Sequence, residues 1–107
     1  MTTFDDRDKA FENKFAHDEE TAFRVAARRN KLLGQWAAEK LGKKDVAAVA
    51  YAREVVMADF KQPGDEDVIE KVLADFKQAG LSLTDKDIRA EMQRLLPIAR
   101  GQIIGEK

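Results

Sequence analysis

A chain of 107 residues with 44% apolar and 36% charged side chains has the size and balance of one soluble domain, which excludes a two-domain enzyme. It contains no cysteine and a single histidine, His17, so disulfide frameworks, thiolate catalysis and cysteine or multi-histidine metal sites are excluded together. A formal charge of -1 gives no overall attraction to nucleic acid or to an anionic membrane. No apolar run approaches the roughly 20 residues of a spanning helix, and the first residues are acids and phenylalanines instead of a cleavable signal, so the chain is expected in the cytoplasm.

Two prolines and six glycines punctuate segments in which apolar residues recur at helical spacing, with no alternating strand pattern, and an all-α fold follows. Nothing between Thr3 and Leu41 forbids a helix, yet one uninterrupted helix there would be about 58 Å long, against a diameter of roughly 35 Å for a globular chain of this size. Part of the segment must therefore project. Val25, Leu32, Leu33, Trp36, Ala37 and Leu41 can line a core, whereas the stretch before Glu20 offers only Phe4, Phe11 and Phe15 among many charges. Residues 21–41 are thus read as the first helix of a four-helix bundle covering 21–107, stopped by Gly42. Residues 1–20 are read as a flexible N-terminal helical arm, mobile when free.

Asp45 is placed to cap a second helix with Val46, Val49, Ala50, Arg53, Val56, Met57 and Phe60 on its inward face, ended by Gln62, Pro63 and Gly64. Asp65 opens a third helix whose Val68, Ile69, Val72, Leu73, Phe76 and Ala79 form one stripe, and Gly80 stops it. Thr84 with Asp87 makes a capping box in which Asp replaces Glu, opening a fourth helix through Ile88, Met92, Leu95 and Leu96. Pro97 is expected to kink or end that helix, which leaves the tail from Ile98 unassigned.

On a helix, Phe4, Phe11 and Phe15 fall within about 40° of one another. Exposed phenylalanine is unfavourable, so this seam either folds back onto the body or meets a partner. Charge favours a partner. Residues 1–20 carry seven acids against Arg7, Lys9 and Lys14, while residues 24–44 carry Arg24, Arg28, Arg29, Lys31, Lys40, Lys43 and Lys44 against Glu39 alone. The bases are either solvated positions whose stems cover the core, or a contact for an acidic protein surface or for nucleic-acid phosphate. Phosphate is the weaker option, because Trp36 is the only interleaved aromatic. His17 precedes Asp18, Glu19 and Glu20, whose charge raises its proton affinity and makes it the candidate pH sensor.

Catalytic constellations are missing from the sequence. Ser82 is the only serine and has no motif histidine to activate it, and the acid clusters at Asp5/Asp6, Asp18/Glu19/Glu20 and Asp65/Glu66/Asp67 suit helix starts or solvated faces. Gly101 and Gly105 lack the spacing of a phosphate loop. The residues describe a binding protein and not an enzyme.

Three stretches carry a family resemblance: Met1-Thr2-Thr3-Phe4-Asp5-Asp6-Arg7, Phe11-Glu12-Asn13-Lys14-Phe15-Ala16-His17-Asp18, and Ala26-Ala27-Arg28-Arg29-Asn30-Lys31-Leu32-Leu33-Gly34-Gln35-Trp36-Ala37-Ala38. With Tyr51-Ala52-Arg53-Glu54-Val55-Val56 and Asp59-Phe60, they closely resemble the zeta subunit family, inhibitors of the alphaproteobacterial F-type ATP synthase. The resemblance implies a four-helix bundle whose N-terminal segment enters a catalytic interface between alpha and beta subunits, folds there and reaches toward the rotor gamma subunit, blocking ATP hydrolysis. Carried over, the inhibitory segment is Thr2 to about Asp18, with Phe4, Phe11 and Phe15 as anchors, Arg7, Lys9 and Lys14 as charged contacts, and Arg28, Arg29 and Lys31 docking the body. The protein would then sit peripherally at the inner face of the plasma membrane, held by the synthase without inserting into the bilayer. No cofactor is expected; weak adenine-nucleotide binding goes with the resemblance, but no motif marks a site. On residues alone, the alternative is a small helical regulator that contacts nucleic acid through residues 24–44.

Overall fold

A computed structural model describes the backbone of residues 3–59 and 64–106 and the side chains of residues 19–59 and 64–106. The described backbone forms four helices: α1 (Thr3–Lys40), α2 (Asp45–Ala58), α3 (Glu66–Gln78) and α4 (Asp85–Gly105). Leu33 of α1, Val55 of α2, Val68, Val72 and Phe76 of α3, and Ile88 of α4 are fully buried, so each helix contributes to one common core. Of the expected α1 stripe, Val25, Leu33 and Ala37 are buried. Leu32, Trp36 and Leu41 are only partly buried, and Trp36 meets Phe76 edge to face at 5.7 Å between ring centroids.

Local chemistry sets the helix ends. At the end of α1 the Gly42 N–H donates to Glu39 O and the Lys43 N–H to Ala38 O, the paired bonds of a Schellman stop, with Gly42 at φ +76. The same arrangement ends α3, where the Leu81 N–H donates to Phe76 O at 2.9 Å and Leu81 folds back onto the core. Thr84 and Asp87 form the expected capping box at the start of α4. Two other cap assignments need correction. Asp45 is the first residue of α2 and holds φ +53 without a capping bond, the N-cap being Lys44. Asp65 does occupy the N-cap of α3, but its carboxylate makes no cap bond and pairs with Arg29 instead.

The larger correction concerns the face of α2. Tyr51, Ala52, Val55 and Ala58 point inward, while Val46, Val49 and Met57 are exposed; Phe60 lies outside the described residues. The cause is Gly34 on α1, which is buried so closely against α2 that an added Cβ would lie 2.5 Å from the Ala52 Cα. Backbones that approach this closely admit only a small side chain at the contact, so Ala52 turns to α1, which carries Tyr51 and Val55 inward and turns Val46, Val49 and Met57 out.

Pro97 does not end α4 either. The helix runs through it to Gly105, because Ala99 and Ile103 beyond it bury against Val25, with Leu32 and Leu96 alongside. The carbonyl of Gln93 loses its partner to the proline, and the exposure of Gln93 lets solvent replace that bond.

The return of α4 also fixes how far the body reaches along α1. Arg28 donates to Gln102 at 2.9 Å and to Glu106 at 2.6 Å, and Ile104 lies near Thr21 and Ala22, so the end of α4 is level with residues 21–28. Upstream of Thr21, α1 continues for the 18 residues back to Thr3, about 27 Å of helix, within a molecule of 65 × 26 × 22 Å. There is no helix break at residue 20.

Gly34→Ala should therefore destabilise the fold by about 2 kcal/mol, as overpacking against backbone outweighs the roughly 1 kcal/mol that alanine ordinarily gains over glycine in a helix. Urea denaturation will read this as a lower midpoint at unchanged slope. Adding Ala52→Gly should restore little, because the nearest obstructing atom is the Ala52 Cα, which glycine keeps.

Candidate functional site

The arm residues of interest, Phe4, Arg7, Lys9, Phe11, Lys14 and Phe15, together with His17, fall on α1 backbone, and their side chains lie outside the described residues. The described side chains of α1 begin with those of Glu19 and Glu20, and Glu20 forms an exposed ion pair with Arg24 at 2.7 Å, spaced four residues apart. Below it, Thr21, Ala22, Val25 and Ala26 of α1 face Leu96, Arg100 and Ile104 of α4 across a shallow groove. The root of the arm is thus seated on α4.

The three bases Arg28, Arg29 and Lys31 below that root separate in space, because each step along a helix turns the side chain by about 100°. Arg28 turns to α4, where Gln102 and Glu106 hold it. Arg29 turns inward and is 8% exposed; its Nη2 donates to Asp65 Oδ1 at 2.6 Å and to Asn30 Oδ1 at 3.0 Å. Lys31 turns to the solvent side and has no carboxylate partner among the described residues. Of the three docking positions, Lys31 alone presents an uncommitted charge.

The Arg29 cluster is structural in its geometry. It joins α1 to the start of α3, with the fully buried Asn30 accepting from the same guanidinium. The Asp59 carboxyl at the end of α2 belongs to the cluster too. Burial, and after it the charge of Asp65, pushes its pKa above the ordinary carboxylate value, against the pull of Arg29 and Asn30. Asn30 Nδ2 has no acceptor at hydrogen-bonding distance among the described residues, so its pull is weak.

Two features escaped sequence reasoning. One is a lock between α2 and α3: the Tyr51 hydroxyl donates to Asp75 Oδ2 at 2.7 Å, and Lys71 donates to the same oxygen at 3.1 Å. The ammonium groups of Lys43 and Lys71 lie 5.8 and 5.1 Å from the ring centroid. Burial, then the hydrogen bond and charge of Asp75, drives the Tyr51 hydroxyl well above its ordinary pKa, so it stays a donor. The other is a groove of about 410 Å³ between α1 and α2, lined by Lys31, Gln35, Val49, Ala52, Arg53 and Val56. Its signal was in the sequence, as the apolar stripe of α2, but that stripe reads as core until the position of α1 is known.

Among the described residues no group of three or more His, Cys, Asp or Glu is placed to hold a metal ion. No helix, over the same residues, is long and apolar enough to cross a membrane. What the arrangement offers chemically is a long helix on a small body, with separate apolar and charged surfaces for contact.

Arg29→Ala should cost about 3 kcal/mol, since it strands the Asn30 carbonyl and leaves Asp65 without its cation; chemical denaturation measures it. Asp59→Asn should act in the opposite direction. With its folded pKa raised, Asp59 binds more protons folded than unfolded in the window above the ordinary carboxylate pKa, so stability falls as pH rises through that window. The asparagine variant should be more stable than the parent at pH 7, with the difference fading as the pH approaches 4.

The family model described as ATPase inhibitor subunit zeta matches residues 1–102. A structure solved by solution NMR is 45% identical and superposes with a TM-score of 0.70, covering 79% of this chain and 96% of that one. No curated relative matches the chain.

Proposed function

The chain belongs to the ATPase inhibitor subunit zeta family, and from that membership we propose that it stops ATP hydrolysis by inserting residues 2–18 into a catalytic alpha/beta interface of an F-type ATP synthase, close to the rotor. The family is one of regulatory subunits whose partner is the ATP synthase. The further steps, insertion of the arm, its contact with alpha, beta and gamma subunits, and a peripheral position at the inner face of the plasma membrane, are our reading.

The observation that carries it is the continuity of α1 from Thr3 to Lys40. A separate peptide of about 18 residues must nucleate its own helix, which is unfavourable in water. An arm that prolongs a helix already anchored by Val25, Leu33 and Ala37 only has to propagate one. The body therefore supplies the nucleus, and the direction of α1 aims the segment. Burial of Phe4, Phe11 and Phe15 would then contribute roughly 5 to 9 kcal/mol, at about 1.5 to 3 for each ring. That gain is opposed by the ordering of side chains and backbone, so the seam needs a second contact from the body. Joined to the arm without a linker, such a contact acts at high effective concentration.

The nucleic-acid alternative finds no support in the geometry. Arg24, Arg28 and Arg29, three of the seven bases in residues 24–44, are held in internal ion pairs, and Trp36 is packed on Phe76 and not free to stack on bases.

The test replaces Phe11 and Phe15 together with alanine in the full chain and measures ATP hydrolysis by the isolated catalytic sector of its own synthase. Loss of roughly 3 to 6 kcal/mol of apolar burial raises the half-inhibitory concentration by about a hundredfold to roughly twenty-thousandfold, with the melting temperature unchanged. Parent-like inhibition rejects the seam as anchor, and a comparable loss of thermal stability shows that the rings pack on the bundle.

A further inference from the structure

At the α1/α2 groove and the outward face of α2 the fold leaves a cluster of exposed apolar side chains on one helix. Val46 is 82% exposed, Val49 61% and Met57 58%. Scattered apolar residues on a surface are ordinary, but these share one face of a single helix with half-buried Val56, and that face is continuous with the groove floor at Ala52. Valine is also a poorer helix former than the Ala, Lys or Glu that usually fills an exposed helical position. Outward valines thus cost helix stability here and return no burial in the isolated chain.

The charges of the groove say what would cover it. Lys31 and Arg53 stand on its two walls, no acid lines it, and neither cation has an ion-pair partner among the described residues. We propose that this groove docks an acidic amphipathic helix of the ATP synthase, its aliphatic residues on Val49, Val56 and Met57 and its carboxylates against Lys31 and Arg53. The proposal rests on the inhibitory reading above and supplies the second contact that reading requires.

Shape and charge select this occupant over others. The furrow between two packed helices accepts the side-chain ridge of a third, read out at three- and four-residue spacing, and Ala52 leaves the floor low enough for one. A second copy joined through the same patch about a twofold axis would bring Lys31 and Arg53 against their own equivalents, which is repulsive. The chain's own acidic arm is carried away from the groove, because α1 continues unbroken from Lys31 toward Thr3.

The experiment uses the full chain and the isolated catalytic sector of its synthase. Lys31→Glu with Arg53→Glu should raise the half-inhibitory concentration at least tenfold, as should Val49→Ser with Met57→Ser, with melting temperatures equal to the parent's because all four side chains are exposed. Lys86→Glu, an exposed charge reversal on α4, controls for net charge and should leave that concentration at the parent value. Raising salt from 50 to 300 mM should weaken the parent more than the charge-reversed pair, since screening acts on the contact that pair has lost. Half-inhibitory concentrations equal to the parent's for both double variants overturn the docking while leaving the arm mechanism standing. Self-association of the parent, by sedimentation, that the same variants abolish also overturns it, in favour of a second copy. A parent chain that fails to inhibit overturns the inhibitory reading itself, and the docking falls with it.

Discussion

The contact between α1 and α2 at Gly34 and Ala52 is the constraint from which most of the molecule follows. With room for no side chain on Gly34, the two helices meet backbone to backbone, and the rotation of α2 about its axis is then fixed. That rotation directs Tyr51 and Val55 into the core, where Tyr51 reaches Asp75 and ties α2 to α3. It also directs Val46, Val49 and Met57 to solvent. The same close packing that stabilises the body thus produces its unpartnered surface.

A second organising element is the return of α4 along α1. Pro97 would be expected to end a helix, yet burial of Ala99 and Ile103 against Val25 offsets the missing backbone bond. Without those last turns, α1 would lose its support near residue 25 and the root of the arm would lie free of the body. The inhibitory reading depends on that support, because an arm is directed only as well as the helix it extends is held.

The run Arg28, Arg29, Lys31 shows how little a cluster of like charges says about its use. In sequence the three form one basic patch. On the helix they face α4, the interior and the solvent respectively, and the interior member does structural work with Asn30, Asp59 and Asp65. Charge polarity along a chain is a property of residue order, whereas availability of a charge is a property of packing.

The sequence by itself determined the class of fold, the number of helices and most of their ends. Those properties rest on local chemistry: glycine in the left-handed region at Gly42 and Gly80, the Thr84 and Asp87 box, and apolar periodicity in α3, whose Val68, Ile69, Val72 and Phe76 are buried as their spacing predicts. The stretches that resemble the zeta subunits were legible too, being contiguous. Tertiary structure alone decided which face of α2 is inside, whether α4 survives Pro97, and which of Arg28, Arg29 and Lys31 stays free. In α2 the two candidate faces are both apolar, so hydrophobic periodicity cannot separate them. The choice is made by the distance between two backbones, and that distance depends on a glycine in another helix.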